Sequence, residues 1–238
     1  MRLAIMTPTY NERANIDEFL TALRAIEPDA DVYIVDDASP DGTGIRVAEH
    51  AAKDARIHLI SRQGPRGYAA ASREGLQRIA EGPYDAVVSI DCDFSHDPNA
   101  ISSLVRKIDS GSDIVVGSRY VPGGGIRNWS LFRRVLSTVG NRYSTWILGL
   151  PVRDCTSGFR AYRIALVRSG ILSHTTSSGY AFLTESLLRV HTAGTWRISE
   201  VPIVYVQRGA GQSKMSRKII FESMIRVTGW GLRRLGRS

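Results

Sequence analysis

Short hydrophobic runs alternate with longer amphipathic stretches through the first half of the chain, and this alternation constrains the fold more than any other feature. The runs are aliphatic or β-branched, end in polar or turn residues, and cover 3–6, 32–35, 57–60, 86–90 and 114–116. The stretches between them have helical spacing and cover 16–26, 44–53, 69–80 and 100–108. Such alternation predicts an α/β fold with a mainly parallel sheet and helices on both faces.

A second pattern lies in the residues that follow the predicted strands, because parallel sheets bind ligands beyond the carboxyl ends of their strands. Asp36 and Asp37 follow the second run, and Asp91 and Asp93 flank Cys92 after the fourth. Two carboxylates one residue apart can bind one Mg²⁺ or Mn²⁺ ion, which would neutralise a diphosphate leaving group. An isolated Asp-x-Asp is more often a solvated turn, but two acidic clusters on one edge indicate a metal and phosphate site.

The segment 8–12, Pro-Thr-Tyr-Asn-Glu, follows the first run. The ring of Tyr10 and the carboxylate of Glu12 could hold a nucleobase or ribose. Taken alone, the segment is better explained as an Asn-containing turn that caps the next helix. Together with the acidic clusters, it would place three such loops on one edge of the sheet.

The formal net charge of +8 is concentrated late in the chain and favours anionic partners: phosphorylated substrates, acidic lipid or nucleic acid. Between 203 and 238, eight Lys and Arg residues stand against a single acid, Glu222. We expect no nucleic acid, because the cations are interleaved with apolar residues and no nucleic-acid motif occurs. The two cysteines, Cys92 and Cys155, have no metal-ligand spacing.

Two segments, 129–150 and 216–237, combine basic residues with Trp, Ile and Leu at helical spacing. Such helices lie on anionic membrane surfaces or pack their apolar faces on the domain. We expect membrane or partner contact for 216–237 and both roles for 129–150. Neither a run of 18 apolar residues nor a signal peptide occurs. We therefore expect a cytoplasmic protein bound peripherally to the cytoplasmic face of the membrane, or to a membrane protein there.

Eight strings of the sequence resemble, in order, the signatures of dolichol-phosphate mannose synthases, whose bacterial members are polyprenol-phosphate mannose synthases. They lie at 8–12, 35–43, 91–98, 117–120, 154–160, 179–185, 200–203 and 211–215. The resemblance implies a GT-A (Rossmann-like) fold and an inverting, metal-dependent transfer of mannose from GDP-mannose to a polyprenyl phosphate. We expect a catalytic domain over 1–215, followed by a basic amphipathic helix over 216–238.

The resemblance also implies roles for individual residues. Those that would bind the nucleotide-sugar are Pro8, Tyr10, Glu12, Val35, Asp37, Asp91, Cys92, Asp93, Arg208 and Lys214. The divalent metal would be bound by Asp91, Asp93 and Ser95, and the acceptor phosphate by Arg119, Ser137 and either Arg133 or Arg134. Asp91, Asp93 and Arg119 would be the catalytic residues.

Two questions stay open from the sequence. The loop at 62–70 is shorter and more basic than in the family, at the place that shapes the donor site, so UDP-hexose and UDP-N-acetylhexosamine donors remain alternatives. A saccharide or small-molecule acceptor is also an alternative. It would require a general base, for which Asp154 and Glu185 are the candidates, although a structural role for Asp154 is equally consistent with its sequence context. A phosphate acceptor is already anionic and needs no strong base.

Overall fold

The computed structural model describes residues 1–207 and 217–235. Its first half repeats a strand followed by a helix. The strands are β1 (Leu3–Thr9), β2 (Asp31–Asp36), β3 (Ile57–Ser61), β4 (Ala86–Ser89) and β5 (Ile114–Ser118). The helices between them are α1 (Ile16–Ile26), α2 (Thr43–Ala51), α3 (Tyr68–Ala80) and α4 (Ile101–Asp109). Every strand and helix predicted in this half is present, with ends that differ by at most three residues.

The second half is less regular. Its strands are β6 (Gly125–Arg127), β7 (Arg160–Arg163), β8 (Ile198–Pro202) and β9 (Val204–Val206). Its helices are α5 (Leu131–Leu148), α6 (Ile164–Arg168), α7 (Ala181–Ala193) and α8 (Arg217–Leu235).

A seven-stranded sheet has the strand order β3-β2-β1-β4-β7-β5-β8. Strand β7 is antiparallel to β4 and β5, and the other neighbouring pairs are parallel. Strands β6 and β9 form a separate two-stranded parallel sheet. Because β1 to β5 all point the same way, the loops that follow them lie along one edge of the large sheet, where ligands of such folds bind.

Successive residues of β1 point to opposite faces of the sheet, and each face has its own core. Met6 packs in the core that contains Leu76 of α3, and Ile5 packs in the core that contains Phe19 of α1. Helices thus cover both faces, which explains why the strands read as continuous hydrophobic runs.

The predicted final strand at 201–206 is wrong as a single element. Strand β8 ends at Pro202 and β9 begins at Val204, and the two belong to different sheets. Proline has no N–H to donate to a strand ladder, so it stands where the pairing of β8 stops. The sequence pattern also did not indicate β7, because Arg160 is fully buried there instead of an aliphatic residue.

Helix α8 packs against α5, so part of its apolar face is covered by the protein. The hydroxyls of Tyr143 and Thr228 are 2.8 Å apart, and Val227 is buried. A Cβ added at Gly231 would lie 2.4 Å from Cγ1 of Ile147, so the two helices approach closely at this glycine. In the part of the chain that the structure describes, no helix combines the length and apolar character needed to cross a bilayer.

Candidate active site

Asp36, at the end of β2, joins the ends of β1 and β2. Its carboxylate accepts hydrogen bonds from Oγ1 of Thr9 (3.0 Å) and from the backbone N and Oγ of Ser39 (3.0 and 2.6 Å). The carboxylate is buried and satisfied by the protein itself. Asp36 is therefore structural, and its neighbour Asp37 is the better candidate for ligand binding.

Asp37 is bound by the loop that follows β3. One carboxylate oxygen accepts a hydrogen bond from Nη1 of Arg62, and the other accepts one from the backbone N of Gly67 (2.6 Å). Arg62 also donates from Nε to Glu74 (2.8 Å), and both Arg62 and Asp37 are buried. Asp37 thus holds the loop after β3 against the edge of the sheet, and only its remaining lone pairs are available to a nucleoside.

The segment after β1 forms an Asn-containing turn, as the sequence suggested, but the side chain of Asn15 at the start of α1 makes no capping hydrogen bond. Asn11 has φ +59°, and its backbone N donates to Oγ of Ser39 (3.0 Å). The carboxylate of Glu12 accepts a hydrogen bond from Nδ2 of Asn15 (2.8 Å), immediately before α1. Tyr10 stands on the same edge, against Arg66 of the loop after β3. The segment therefore forms a turn at Asn11 and also places the Tyr10 ring at the edge of the sheet where a ligand would bind.

Asp91 and Asp93 leave β4 on either side of Cys92, whose side chain is buried in the core. Oδ1 of Asp93 accepts the backbone N–H of Ser95 (2.9 Å), and its Oδ2 has no hydrogen-bond partner among residues 1–207 and 217–235. Oγ of Ser95 is buried beside Tyr205 and makes no hydrogen bond of ordinary geometry within the same residues. Unsatisfied oxygens next to Asp91 fit a hard divalent cation.

Within the described residues, His, Cys, Asp and Glu side chains nowhere form a cluster of three or more that could hold a metal ion. An ion at Asp91 and Asp93 would therefore take its remaining ligands from substrate phosphate and water. That is the ordinary coordination of Mg²⁺ in nucleotide sites, where one or two carboxylates and the phosphates share the ion.

Two tyrosines to which the sequence gave no role lie beside Asp91. The rings of Tyr68 and Tyr180 are stacked, with centroids 5.0 Å apart. A Cβ added at Gly158 would lie 2.8 Å from the Tyr68 hydroxyl and 3.8 Å from Oδ2 of Asp91, so this glycine lets the three groups approach. Burial, followed by the negative charge of Asp91, raises the pKa of both tyrosines. Only the fold brings these residues together.

Arg119, just after β5, is fixed by Asp154. Nε and Nη2 of Arg119 donate to the two carboxylate oxygens (2.7 and 2.8 Å), and its backbone N donates to Oδ2 (3.1 Å). Burial opposes the charge of Arg119, but the neighbouring Asp154 outweighs it and raises the pKa of the guanidinium. Burial likewise opposes the charge of Asp154, and Arg119 overcomes that effect and lowers the pKa of the carboxyl.

This pairing decides the role of Asp154. Its carboxylate also accepts from the backbone N of Thr156 (3.2 Å) and of Ser157 (3.1 Å), and the side chain is fully buried. With Oγ1 of Thr156 (3.3 Å), the carboxylate has six protein donors and no lone pair directed to a substrate proton, so it is not placed to act as a general base. Nη1 of Arg119 makes no hydrogen bond within the described part of the chain.

Glu185, the other candidate base, is engaged in the same way. It accepts hydrogen bonds from the backbone N of Thr176 (3.0 Å to each oxygen), the backbone N of Ser177 (2.7 Å) and Nε of Arg189 (2.9 Å). Burial opposes its charge, but these donors lower its pKa. Glu185 orders the loop before α7.

His96 lies near Arg119 in an aromatic cluster that the sequence did not predict. Its ring is 5.3 Å from the rings of Phe159 and Tyr205, and burial, followed by the charge of Arg119, lowers its pKa to about 4. An imidazole with that pKa is a weak base at neutral pH. His96 therefore has a packing role in the site, between Phe159 and Tyr205.

Both arginines at the start of α5 lie near Arg119: Arg133 shares the Trp129 ring with it, and Arg134 lines the same cavity. Nη1 of Arg133 donates to Oε1 of Gln207 (2.5 Å), and its guanidinium lies 4.1 Å from the centre of the Trp129 ring. Nη2 of Arg134 donates to the backbone O of Ile126 (2.6 Å). A cavity of about 350 Å³ is lined by Arg119, Tyr120, Gly125, Ile126, Arg134 and Thr138. The hydroxyl of Ser137 is 2.7 Å from that of Tyr120.

Comparison with known protein families matches residues 4–170 to glycosyl transferase family 2. The chain belongs to this family. The polyprenol monophosphomannose synthase of Mycolicibacterium smegmatis is 40% identical to it over 98% of this chain and 88% of that protein. The undecaprenyl-phosphate mannosyltransferase of Micrococcus luteus is also 40% identical, over 98% of this chain and 95% of that protein. The resemblance seen in the sequence is confirmed.

The fold of the transferase is also found in solved structures. Glucosyl-3-phosphoglycerate synthase from Mycobacterium tuberculosis, in complex with Mn²⁺, uridine diphosphate and phosphoglyceric acid, superposes with a TM-score of 0.67. It is 20% identical, and the match covers 96% of this chain and 78% of that one. The predicted GT-A fold, with its mostly parallel sheet flanked by helices, is confirmed.

The structure places most of the residues predicted for the transferase on one edge. Pro8 is one of the last residues of β1, and the residues that follow β1, β2, β4 and β5 are Tyr10, Glu12, Asp37, Asp91, Asp93, Ser95 and Arg119. Val35 and Cys92 have side chains buried in the core, so only their backbone could contact a donor. Arg208 and Lys214 lie outside the described residues.

Proposed function

We propose that this transferase moves mannose from GDP-mannose to a polyprenyl phosphate, with inversion at the anomeric carbon. The names of its relatives at 40% identity support the sugar and the acceptor. The proposal depends most on the hydrogen bonds made by the two candidate bases. Asp154 and Glu185 are both saturated by protein donors, whereas Arg119 keeps Nη1 directed away from its partner Asp154. A site of this kind suits an acceptor that is already an anion.

The divalent metal, Mg²⁺ or Mn²⁺, would be held by Asp91 and Asp93, with Ser95 as a further oxygen. Oδ2 of Asp93 and Oγ of Ser95, which make no hydrogen bond of ordinary geometry in the described part of the chain, support this set. When bound, the ion would neutralise charge on the departing diphosphate. A metal site also explains why two partly exposed carboxylates, Asp91 and Asp93, stand one residue apart at the end of β4.

The acceptor phosphate would bind at Arg119. Because Asp154 fixes the guanidinium, little side-chain entropy is lost when a phosphate oxygen accepts from Nη1. Either Arg133 or Arg134, which lie near Arg119, would contact a second oxygen, since a guanidinium fork matches phosphate geometry. In a single displacement, the bond from C1 to the acceptor oxygen forms as the bond from C1 to the diphosphate oxygen breaks. No proton has to be removed.

A lipid acceptor requires the enzyme to work at a membrane, and α5 is suited to that contact. Leu131, Phe132 and Trp146 are each at least 75% exposed, and Val135 and Val139 are more than half exposed. Basic residues accompany this face, as in helices that lie on anionic lipid. Because α8 uses part of its surface to pack on α5, we assign the contact with the cytoplasmic face of the membrane mainly to α5.

Incubation with radiolabelled GDP-mannose, polyprenyl phosphate and Mn²⁺ tests the proposal. We expect labelled product that partitions into organic solvent, and none with an Asp93→Asn variant. A parallel reaction with labelled UDP-glucose tests the donor. Label that stays entirely in the aqueous phase with GDP-mannose would overturn the proposed reaction.

A further inference from the structure

The loop between β3 and α3 is held in place at both ends by one carboxylate. Arg62 at its start and the backbone N of Gly67 at its end bind the two oxygens of Asp37. Nη2 of Arg62 also donates to the backbone O of Pro65 inside the loop (3.3 Å). Arg66 lies between these anchors, so its backbone is held in place by them, although its side chain is exposed.

Arg66 is directed onto Tyr10. Its guanidinium carbon is 5.0 Å from the centre of the Tyr10 ring, and its Nη1 donates to the Tyr10 hydroxyl (2.9 Å). Its Nε and Nη2 make no hydrogen bond within residues 1–207 and 217–235. Those two nitrogens form the edge of a guanidinium that donates two parallel hydrogen bonds.

The position of this pair along the sheet separates it from the metal site. Tyr10 follows β1 and Arg66 follows β3, and these strands lie with β2 at one end of the sheet. The carboxylates proposed for the metal and diphosphate follow β4, on the other side of β1. A nucleotide with its diphosphate at β4 would direct its base toward β1, β2 and β3.

We propose that Arg66 recognises the base of the donor nucleotide and makes this site select guanine over uracil. The inference rests on the proposed function, in that the donor is a nucleotide-sugar bound along this edge. Guanine presents two adjacent acceptors, O6 and N7, which match the fork of an arginine. Uracil has no such pair, so it leaves one donor of Arg66 unpaired. A planar guanidinium also contacts aromatic faces favourably, and the guanidinium carbon of Arg66 is 5.0 Å from the centre of the Tyr10 ring.

Binding measurements on the whole protein test this role. Dissociation constants for GDP, UDP and guanosine are measured by calorimetry for wild type, Arg66→Ala and Arg66→Lys. We expect Arg66→Ala to lower the affinity for GDP and guanosine by about tenfold or more, which is within the range for one bidentate contact. The affinity for UDP should be unchanged. Arg66→Lys should not restore guanosine binding, because an ammonium lacks the fork.

Arg78→Ala is the matched control, since Arg78 is an exposed arginine at the far end of α3, the helix that follows the loop of Arg66. It should bind all three ligands as wild type does. Two results would instead indicate a phosphate contact and overturn the inference. In one, Arg66→Ala weakens the binding of GDP and UDP equally and leaves guanosine binding unchanged. In the other, it weakens GDP and UDP binding equally and Arg66→Lys restores the affinity. Failure of the proposed function is a separate result: the wild type would bind GDP more tightly than UDP yet form no lipid-linked product.

Discussion

Asp93 differs from the other acidic side chains of the edge in what its oxygens contact. Asp36, Asp37 and Asp154 each have both carboxylate oxygens occupied by protein donors. Asp93 uses one oxygen for the backbone of Ser95. The first three carboxylates therefore stabilise the fold, whereas Asp93 contributes little to it and is suited to bind a ligand.

We expect Asp93→Asn to lower kcat/KM by at least about 100-fold, because the transition-state charge loses its metal. Its thermal midpoint should stay close to that of wild type, as for other substitutions outside the core. Asp97→Asn is the control in the same loop: Asn can still cap the turn at Asn99, and activity should be retained. Full activity of Asp93→Asn, or of wild type in excess chelator, would rule out the metal.

Asp154→Asn should destabilise the protein by about 3 kcal/mol at pH 7, because it leaves the buried Arg119 without its counter-charge. Since the folded pKa of Asp154 lies below its ordinary 3.8, the stabilisation is present above that pH and is lost as pH falls further. Urea unfolding of wild type and Asp154→Asn from pH 7 to pH 3 measures the difference in their free energies of unfolding. This difference should become smaller below about pH 4.

Asp113→Asn is the control for this comparison. It weakens the more exposed pair with Arg163 and should cost less than Asp154→Asn, about 1 kcal/mol or below. A gap between wild type and Asp154→Asn that stays constant across the pH range would contradict the charged pairing of Arg119 and Asp154.

At the scale of elements, the sequence predicted what depends on local pattern. Helices α1 and α3 were predicted to within one residue, because their buried positions recur at helical spacing. Strand β7 was not, because its first residue, Arg160, is a buried arginine whose guanidinium donates to neutral acceptors in the described chain, including the backbone O of Ser157, Cys155 and Leu183. Spacing alone does not distinguish such an arginine from one exposed to solvent.

The same limit applied to the site. Asp91 and Asp93 were found because the strand-end rule needs only the order of elements. The saturation of Asp154 was not predictable, since Arg119 lies 35 residues away and only the fold joins them. The stack of Tyr68 on Tyr180 likewise connects α3 to the residue before α7.

The turn before β6 positions Arg119 from the backbone side. A Cβ added at Gly124 would lie 2.6 Å from the backbone O of Ser118 and 3.0 Å from the carbonyl carbon of Arg119. We expect Gly124→Ala to cost about 1–3 kcal/mol and to raise the KM for polyprenyl phosphate. Gly229→Ala, on α8, has open space around its Cβ and should neither lower stability nor raise the KM. Equal effects of the two substitutions on KM would contradict this role.

Helix α5 is the element proposed to meet the membrane. Replacing both Leu131 and Val135 by Ser should reduce sedimentation with phosphatidylglycerol vesicles by about tenfold or more, since each buried aliphatic side chain contributes about 1.5 kcal/mol or more. Stability should not fall, because both side chains are exposed. Ile45→Ser removes a side chain that is 71% exposed on α2 and should leave vesicle binding unchanged. Unaltered sedimentation of the α5 variant would rule out this face.

At the scale of the whole molecule, the proposed sites follow the order of the sheet. The base would lie over β1 to β3, the metal and diphosphate over β4, and the acceptor phosphate between β5, β6 and α5. The exposed face of α5 adjoins the acceptor end, so a lipid held in a membrane would present its phosphate next to Arg119. Because Asp154 and Glu185 are saturated by protein donors, we expect transfer at this site to proceed without a catalytic base.

The most direct test compares two acceptors that differ only in the phosphate. Initial rates of transfer from GDP-mannose are measured with polyprenyl phosphate and with the corresponding polyprenol, in the same detergent and metal. We expect transfer to the phosphate and a rate at least about 100-fold lower with the alcohol, because a hydroxyl needs the general-base contribution that the site lacks. Comparable rates with the two acceptors would contradict the claim.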